Sequence, residues 1–341
     1  MNERADTAAR SAAGQARFLA RNASYLIATA ARAPSVHNSQ PWQFRVTEDA
    51  VELWSDPQRK LRTDPIGREM MISCGAALFG LRLAVRSLGY QTAVELLPDP
   101  AQLRLLARVA IGTAEPMNVR ERQMLAAVPH RHTHRGPFAS GTLPAGLLPG
   151  LQHDALAEGA ELALIGDGLP YERLALIVGD AARRGDRDPQ TRAEVRKWTR
   201  DPSSTARDGV PATSLAARAP GRLPHGQLRQ RDFDLGRDLA RPPTRADEDE
   251  VPPVATAVLL TPGDRRADWL RAGQALQRLL LHAASTWVFA SLYTQPLEDA
   301  VTRALIRERL TLPGNPQMLL QLGRAASTAS TARRPPGDLA P

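Results

Sequence analysis

The residues best suited to chemistry lie in one polar stretch, "HRHTHRGPF", at positions 130–138. Three histidines alternate along it, so an extended strand would place their imidazoles on one face, as a metal site could use. A metal would also need a carboxylate or another orienting partner, and none is adjacent. Arg131 and Arg135 instead offer planar guanidinium groups that bind phosphate through paired hydrogen bonds, and Thr133 adds a neutral donor. The stretch therefore favours a phosphate-type anion site over a metal site.

A second polar stretch, "PSVHNSQPWQF" at 34–44, has the composition of a rigid corner. Pro34 and Pro41 each fix φ and disfavour helical geometry in the residue before them. Between them we expect about one helical turn, with Ser35 as its N-cap. Such a corner would aim the amide of Asn38 at a ligand. An ordinary capped connector between a helix and a strand explains the same residue types.

No other familiar catalytic motif occurs in the sequence. Glycine-rich dinucleotide loops, a P-loop, a nucleophile elbow and the H-E-x-x-H zinc motif are all missing. We therefore assign no catalytic acid, base or metal ligand, and an enzyme of this sequence would need a cofactor to carry its reaction. A second basic pair, Arg333 and Arg334, follows the last predicted strand; it is either part of an anion site or a solvated terminus.

The composition argues against several classes of protein. The chain has 341 residues, and its 43% hydrophobic content is enough for a packed core. The single cysteine, Cys74, excludes an intramolecular disulfide and fits a reducing compartment. The net charge of +8 comes mostly from arginines interspersed with acidic residues, and only 4% of residues are aromatic. This pattern does not predict a nucleic-acid partner.

The sequence also predicts no membrane partner. The longest weakly polar stretch, 279–293, contains polar residues and falls short of the ~18–20 apolar residues of a membrane span. The amino-terminal residues include acidic side chains and no apolar core of a signal peptide. We expect a cytoplasmic protein.

Hydrophobic periodicity predicts an α+β fold. A helix is expected at 17–32, a hairpin at 42–54, and a long helix at 70–88. Two more strands follow, in "TAVELLP" and "ARVAIG". These elements indicate helices packed on a mostly antiparallel sheet.

Parts of this pattern recur later in the chain. The helix at 75–87 matches 273–285 at a 198-residue offset, and "ARVAIG" matches "MLLQLGR". "DAVELWSDP" (49–57) also parallels "GAELALIGD" (159–167). We expect two related halves, 1–120 and 121–341. The second carries an insertion at about 185–250, which could act as a lid, and an extended carboxyl-terminal tail.

Two motifs together resemble a known family. "PSVHNSQPW" resembles the "PSxxNxQPW" signature of FMN-dependent nitroreductases, and "RHTHRGPF" resembles their "RxSxR/K…F" signature. With "DPIGREMMISCGAALFGLRLA" and "WTR…DGVP…RDFD", the order of motifs is similar to that of the Acg family. In that family two tandem nitroreductase-like halves form a pseudo-dimer within one chain. The resemblance covers residues 17–337.

The resemblance implies FMN bound between the halves. The residues matching its phosphate end are Arg131, His132, Thr133, Arg135, Arg333 and Arg334. Ser35 and Asn38 match positions that approach the isoalloxazine ring from the other half. Gln295 and Pro296, in "YTQPLED", match the segment near flavin N5.

The implied function is that of an FMN-binding oxidoreductase. Hydride would pass from NAD(P)H through the flavin to a nitroaromatic, a quinone or a similar small molecule, with no catalytic side chain and no metal. The chain would act as a monomeric pseudo-dimer. The alternative is a protein that stores or sequesters FMN with little or no turnover, its site covered by the insertion.

Overall fold

The computed structural model describes residues 2–136, 138–215, 228–237, 254–325 and 331–341. Its first elements surround one four-stranded sheet. They are helix α1 (Asn2–Ala30), strands β1 (Trp42–Val46) and β2 (Ala50–Ser55), helix α2 (Arg68–Ser87), and strands β3 (Tyr90–Leu96) and β4 (Leu105–Ala114).

The remaining elements surround a second sheet. In chain order they are α3 (Val119–Ala127), α4 (Leu147–Ala157), β5 (Glu161–Ile165), α5 (Leu169–Arg187), α6 (Pro189–Trp198), β6 (Thr199–Arg200), β7 (Val210–Pro211), β8 (Ala255–Thr261), α7 (Arg266–Ser285), β9 (Val288–Tyr293), α8 (Gln295–Glu298), α9 (Ala300–Arg309) and β10 (Asn315–Arg324).

The two sheets have the same topology. Their strand orders are β1-β2-β4-β3 and β5-β8-β10-β9, and every pairing in both is antiparallel. In each sheet, the first two strands precede a long helix and the last two follow it. The last strand lies between the second and the third: β4 between β2 and β3, and β10 between β8 and β9. The predicted α+β fold of antiparallel sheets flanked by helices is confirmed.

One predicted correspondence between the halves is wrong. The sequence comparison paired 49–57 with 159–167, which would match β2 to β5. The topology instead gives β5 the outer position held by β1, and β8 the position held by β2. A short alternating pattern is common to half-buried strands, so it cannot specify a position within a sheet.

Helices α2 and α7 pack against each other at two glycines. A Cβ atom on Gly75 would collide with the carbonyl oxygen of Leu270, and one on Gly273 would collide with that of Ile72. The 198-residue offset relates Gly75 to Gly273 and Ile72 to Leu270, so the two contacts are equivalent. Such reciprocal contacts are typical of a two-fold interface, here formed within one chain.

Burial in the core explains the apolar character of α2. Among the described helices, α2 alone is long and apolar enough to cross a membrane, which corrects the expectation that no such stretch exists. In the structure 83% of its apolar window is buried by the surrounding elements. A core helix passes the same test of length and composition.

Both ends of the chain differ from expectation. Helix α1 extends from Asn2, well before the predicted start at residue 17, because the preceding residues are rich in alanine and other strong helix formers. The tail is not extended to its end: Pro336–Leu339 forms a short 3-10 turn beside α1 and β1. Leu339 is fully buried there, so the end of the tail packs against the first sheet's side of the molecule.

Candidate functional site

The corner formed by residues 34–41 has a strained backbone. His37, Asn38 and Gln40 have φ values of 54°, 54° and 52°, in the left-handed region that residues with a Cβ rarely adopt. The predicted turn is present as a 3-10 turn, Val36–Asn38. Ser35 precedes it but makes no side-chain cap; its Oγ accepts a hydrogen bond from the Gln40 backbone N–H at 2.9 Å. The hydroxyl therefore closes the whole corner instead of capping the turn.

The insertion and the tail both bind to this corner through its amide side chains. Asn38 Nδ2 donates to the carbonyl oxygens of Gly209 and Ala332, each at 3.1 Å. Gln40 Nε2 donates to the carbonyl of Arg207 at 2.7 Å, and its Oε1 accepts from the Arg334 backbone N–H at 2.8 Å. Residues far apart in sequence are thereby held together at one place.

Three arginine side chains form a cluster beside the corner; we call Arg131, Arg135 and Arg333 the guanidinium cluster. Arg131 and Arg333 both donate from Nη2 to the Arg32 carbonyl oxygen, at 2.9 and 3.4 Å. Nε and Nη1 of Arg131 are buried and have no partner. Arg135 lies with its guanidinium 5.6 Å from the centre of the Phe233 ring.

The electrostatics of the guanidinium cluster are unfavourable without an anion. Burial, with the charges of Arg32 and Arg135, lowers the pKa of Arg131 to about 10. Burial also lowers the pKa of Arg135 to about 10, and burial and the neighbouring arginines lower that of Arg333 well below its usual range. In the described ranges no carboxylate forms a salt bridge with any of the three. Buried like charges of this kind are stabilised when a strongly anionic group lies among them.

A cavity opens next to the guanidinium cluster, between the corner and the second sheet. Its empty volume is about 880 Å³, counted with the open solvent at its mouth. Its walls combine the corner, the first turns of α2, the segment 133–135, the end of β9 with α8, and residues of the insertion. Apolar side chains form much of the wall: Ile72, Val178, Leu276, Leu292 and Met318.

The predicted site residues divide into those that line the cavity and those that do not. Those on the cavity wall are Ser35, Thr133, Arg135, Gln295 and Pro296. Arg131 and Arg333 lie beside Arg135 in the guanidinium cluster, and the charge of Arg135 lowers the pKa of both. Asn38 is outside the wall but shares the tail contact at Ala332 with this region.

His132 and Arg334 have other surroundings. The His132 ring packs 4.4 Å from that of Phe289, and burial lowers its pKa to about 4, so it is neutral at physiological pH. The Arg334 side chain turns to Asp338 and Asp56. Its contribution to the site is the backbone N–H that orients Gln40.

The alternating histidines do not converge on one point. His130 stacks on Trp287, and His134 stacks on Phe138. The stretch meets the edge of the second sheet at Thr133, which bridges Ala290, and at His134, whose carbonyl accepts from Ser291 Oγ. Within the described ranges, no three His, Cys, Asp or Glu side chains are grouped as metal ligands.

The insertion contributes side chains that sequence reasoning did not assign to the site. Arg229, Arg231 and Phe233 line the cavity. Arg229 donates to Asp186 at 2.7 Å, and Arg231 is paired with Glu298. The fragment "RDFD" was part of the family resemblance, but no individual residue of it was assigned to the cavity.

Two buried titratable groups of the cavity were also missed: Glu69 and His37. Burial and the charge of Glu298 raise the pKa of Glu69 well above its usual range. Burial, with the charges of Arg231 and Arg135, lowers the pKa of His37 well below its own. The available signal for Glu69 was a carboxylate at the start of an otherwise apolar helix. His37 lay inside the quoted corner motif but was not singled out.

Comparison with known proteins identifies the family. No protein-family model matches the chain. It is 34% identical over 306 residues to the protein named "Putative NAD(P)H nitroreductase Rv3131" of Mycobacterium tuberculosis H37Rv, covering 89% of this chain and 85% of that protein. The chain belongs to the nitroreductase family. A further relative from that strain, "Putative NAD(P)H nitroreductase acg", is 30% identical over 314 residues, covering 90% of this chain and 91% of that protein.

The family resemblance seen in the motifs is thus confirmed over most of the chain. A solved nitroreductase with bound FMN from Bacteroides fragilis aligns at 14% identity with a TM-score of 0.35, covering 64% of this chain and 94% of that one. This structural likeness is too weak to carry a conclusion. The assignment to nitroreductases therefore rests on the sequence relatives.

Proposed function

We propose that this chain is an FMN-binding oxidoreductase of the nitroreductase type. The observation that carries the proposal is the guanidinium cluster beside the cavity. Arg131 has buried nitrogens without partners, and no carboxylate within the described residues is paired with it or with Arg135 and Arg333. A phosphate monoester supplies the negative charge that the cluster lacks, and acceptor oxygens for the unpartnered nitrogens of Arg131.

The fit extends beyond charge. Guanidinium groups bind phosphate in a planar, two-bonded geometry that lysine cannot reproduce, and all three cationic residues here are arginines. The apolar wall of Ile72, Leu276 and Met318 suits a flat ring system attached to the phosphate. The donors and acceptors of Gln295 and the corner lie on the same cavity.

The residues of the chain would bind and orient the cofactor. The guanidinium cluster holds the phosphate, while Ser35, Thr133, Gln295 and Pro296 lie on the wall facing the remainder of the molecule. FMN, when bound, supplies a ring that accepts hydride from NAD(P)H and passes it to an acceptor. The insertion covers the corner through Gly209 and excludes water from it.

The electron donor is NAD(P)H, and the acceptors are small molecules such as nitroaromatics or quinones. The shared sheet topology and the reciprocal glycine contacts support a monomer that acts as a pseudo-dimer. We place it in the cytoplasm. Nothing in this assignment calls on a nucleic acid, a membrane or a metal.

A second candidate function is storage of FMN with little turnover. The observation that favours it is the attachment of the insertion, whose Arg229, Arg231 and Phe233 form part of the cavity wall. The ion pairs of Arg229 and Arg231 tie this segment to α5 and α8. A cover held this firmly would hinder the approach of a nicotinamide.

The test separates binding from turnover. FMN and riboflavin are titrated into flavin-free protein, and we expect FMN to bind at least tenfold more tightly because only FMN carries the phosphate. Replacing Arg135, which lines the cavity, by Met should remove most of this preference, whereas Arg45→Met, on an exposed residue of β1, should not. Equal affinities for FMN and riboflavin in the wild-type chain would refute the proposal.

The loaded protein is then mixed anaerobically with excess NADPH and, separately, NADH. Rapid bleaching of the flavin absorbance supports a reductase. Persistent colour supports storage.

A further inference from the structure

Three side chains of the cavity carry buried polar atoms that no protein group satisfies. Among the described residues, neither ring nitrogen of His37 has a partner, and neither does Oε2 of Glu69 or Nη1 of Arg231. All three residues line the same cavity, although they come from the corner, from α2 and from the insertion. Unsatisfied buried polar atoms are costly and rare, so several around one cavity indicate a bound polar group.

These atoms are separate from the guanidinium cluster. Arg231 and Arg135 both lower the pKa of His37, so its ring lies near both charges. The charges that act on the pKa of Glu69 include Glu298, Arg68 and Arg231. The cavity therefore has a cationic end near Arg135 and a second polar region near Glu69.

The second region has little net charge. Oε1 of Glu69 is paired with Arg68 Nη2 at 3.4 Å, and Glu298 is paired with Arg231, so each cation here faces a carboxyl group. Burial favours the neutral carboxylic acid at Glu69 and the neutral imidazole at His37. The region thus offers an O–H donor, an N–H donor and an imidazole, without the excess positive charge that would select an anion.

We propose that His37, Glu69 and Arg231 form a subsite for the neutral carbonyl or nitro oxygen of a small aromatic molecule. Glu69 and Arg231 donate hydrogen bonds to the oxygen, and His37 supplies either a donor or an acceptor. The apolar side chains of Ile72, Val178 and Leu292 surround the ring. That this molecule is the electron acceptor rests on the proposed function; its binding does not require electron transfer.

The experiment compares three ligands of related shape. Acetophenone carries a neutral carbonyl, isopropylbenzene replaces that oxygen by a methyl group, and benzoate carries a charge. Their dissociation constants are measured by calorimetry on flavin-free and on FMN-loaded protein, with no NAD(P)H present. The quantity that reports the subsite is the ratio of affinities for acetophenone and isopropylbenzene, because the apolar contribution largely cancels.

We expect Glu69→Leu to lower this ratio about fivefold or more, as loss of one buried hydrogen bond implies. Glu69→Gln keeps a donor and should retain most of the ratio. His37→Phe keeps the ring packing against Phe233 and should lower the ratio, which provides a second variant if Glu69→Leu fails to fold. Glu308→Leu, at an exposed glutamate of α9, is the matched control and should leave the ratio unchanged.

Two results would overturn the subsite. The ratio could stay the same in Glu69→Leu and His37→Phe, or benzoate could bind more tightly than acetophenone to the wild-type chain. These outcomes are independent of the proposed function. If FMN fails to bind but the flavin-free protein shows the expected ratios, the proposed function fails and the subsite stands.

Discussion

Replacing Arg131 by Met should make the flavin-free protein more stable and its FMN complex weaker. Arg131 is only 6% exposed, and two of its three guanidinium nitrogens have no partner. Methionine is unbranched and fills a similar space without charge. A residue retained at a cost to folding is expected where the charge serves a ligand.

The structure gives the size of the effect. Burial and neighbouring arginines lower the pKa of Arg131 from its ordinary value to about 10. At about 1.4 kcal/mol per pKa unit, the charged form is penalised by roughly 3 kcal/mol in the folded state. Loss of the hydrogen bond to the Arg32 carbonyl destabilises the variant by about 1 kcal/mol. The net expectation is a gain of roughly 2 kcal/mol in the free energy of unfolding.

The assay is urea unfolding of flavin-free wild-type and Arg131→Met proteins at pH 7, without phosphate in the buffer. FMN titrations of both proteins give the second quantity, where we expect at least a tenfold loss of affinity. Adding inorganic phosphate should stabilise the wild type more than the variant, because only binding to the folded state contributes. Arg45→Met serves as the control, since its side chain is 52% exposed and the change should affect neither quantity.

The opposite pair of results would refute this reasoning. If Arg131→Met destabilises the flavin-free protein by more than about 1 kcal/mol and binds FMN as well as the wild type, Arg131 is a structural residue. Its contact with Arg32 would then matter more than its buried charge.

Gly75→Ala should lower the free energy of unfolding in urea by about 3 kcal/mol or more, because the new Cβ would collide with the Leu270 carbonyl. Gly14→Ala in α1 is the control: its Cβ would meet open space, so the change should be neutral or stabilising. Similar effects of the two substitutions would contradict the tight α2–α7 contact. His132 has a pKa of about 4 in the folded protein and near 6.5 in the unfolded chain. As the pH falls, the unfolded chain therefore binds this proton first. The free energy of unfolding should fall by on the order of 3 kcal/mol between about pH 6.5 and pH 4. His132→Phe should reduce that fall, and an identical pH profile would count against the buried neutral ring. The pKa of Glu69 is raised in the folded protein, so the cost of burying this side chain grows above about pH 4.5. The stability of Glu69→Gln relative to the wild type should therefore be greater at pH 8 than at pH 5. Equal relative stabilities at the two pH values would contradict the raised pKa.

Local sequence determined most of the secondary structure and identified two of the segments at or beside the cavity. The proline-bounded corner and the segment 130–135 were distinguished by their polar residues, and both lie at the cavity or beside it. The long helices and the antiparallel strands followed from apolar spacing, which depends only on which faces are buried. The 198-residue offset linked α2 to α7 before any contact was known.

Tertiary structure decided which of these residues meet. Arg131 and Arg333 share the carbonyl of Arg32, and Asn38 contacts Ala332 across 294 residues of sequence. The burial that lowers arginine pKa values and raises that of Glu69 has no counterpart in local sequence, because it depends on all the elements packed around the group.

The sequence by itself thus determined the main helices and strands, the family and the cationic character of the segment 130–135. Only the folded chain brought Glu69, His37 and Arg231 around one cavity. Hydrophobic periodicity shows which face of a single helix or strand is buried. A cavity is lined by side chains from several elements, and only the folded topology brings those elements together.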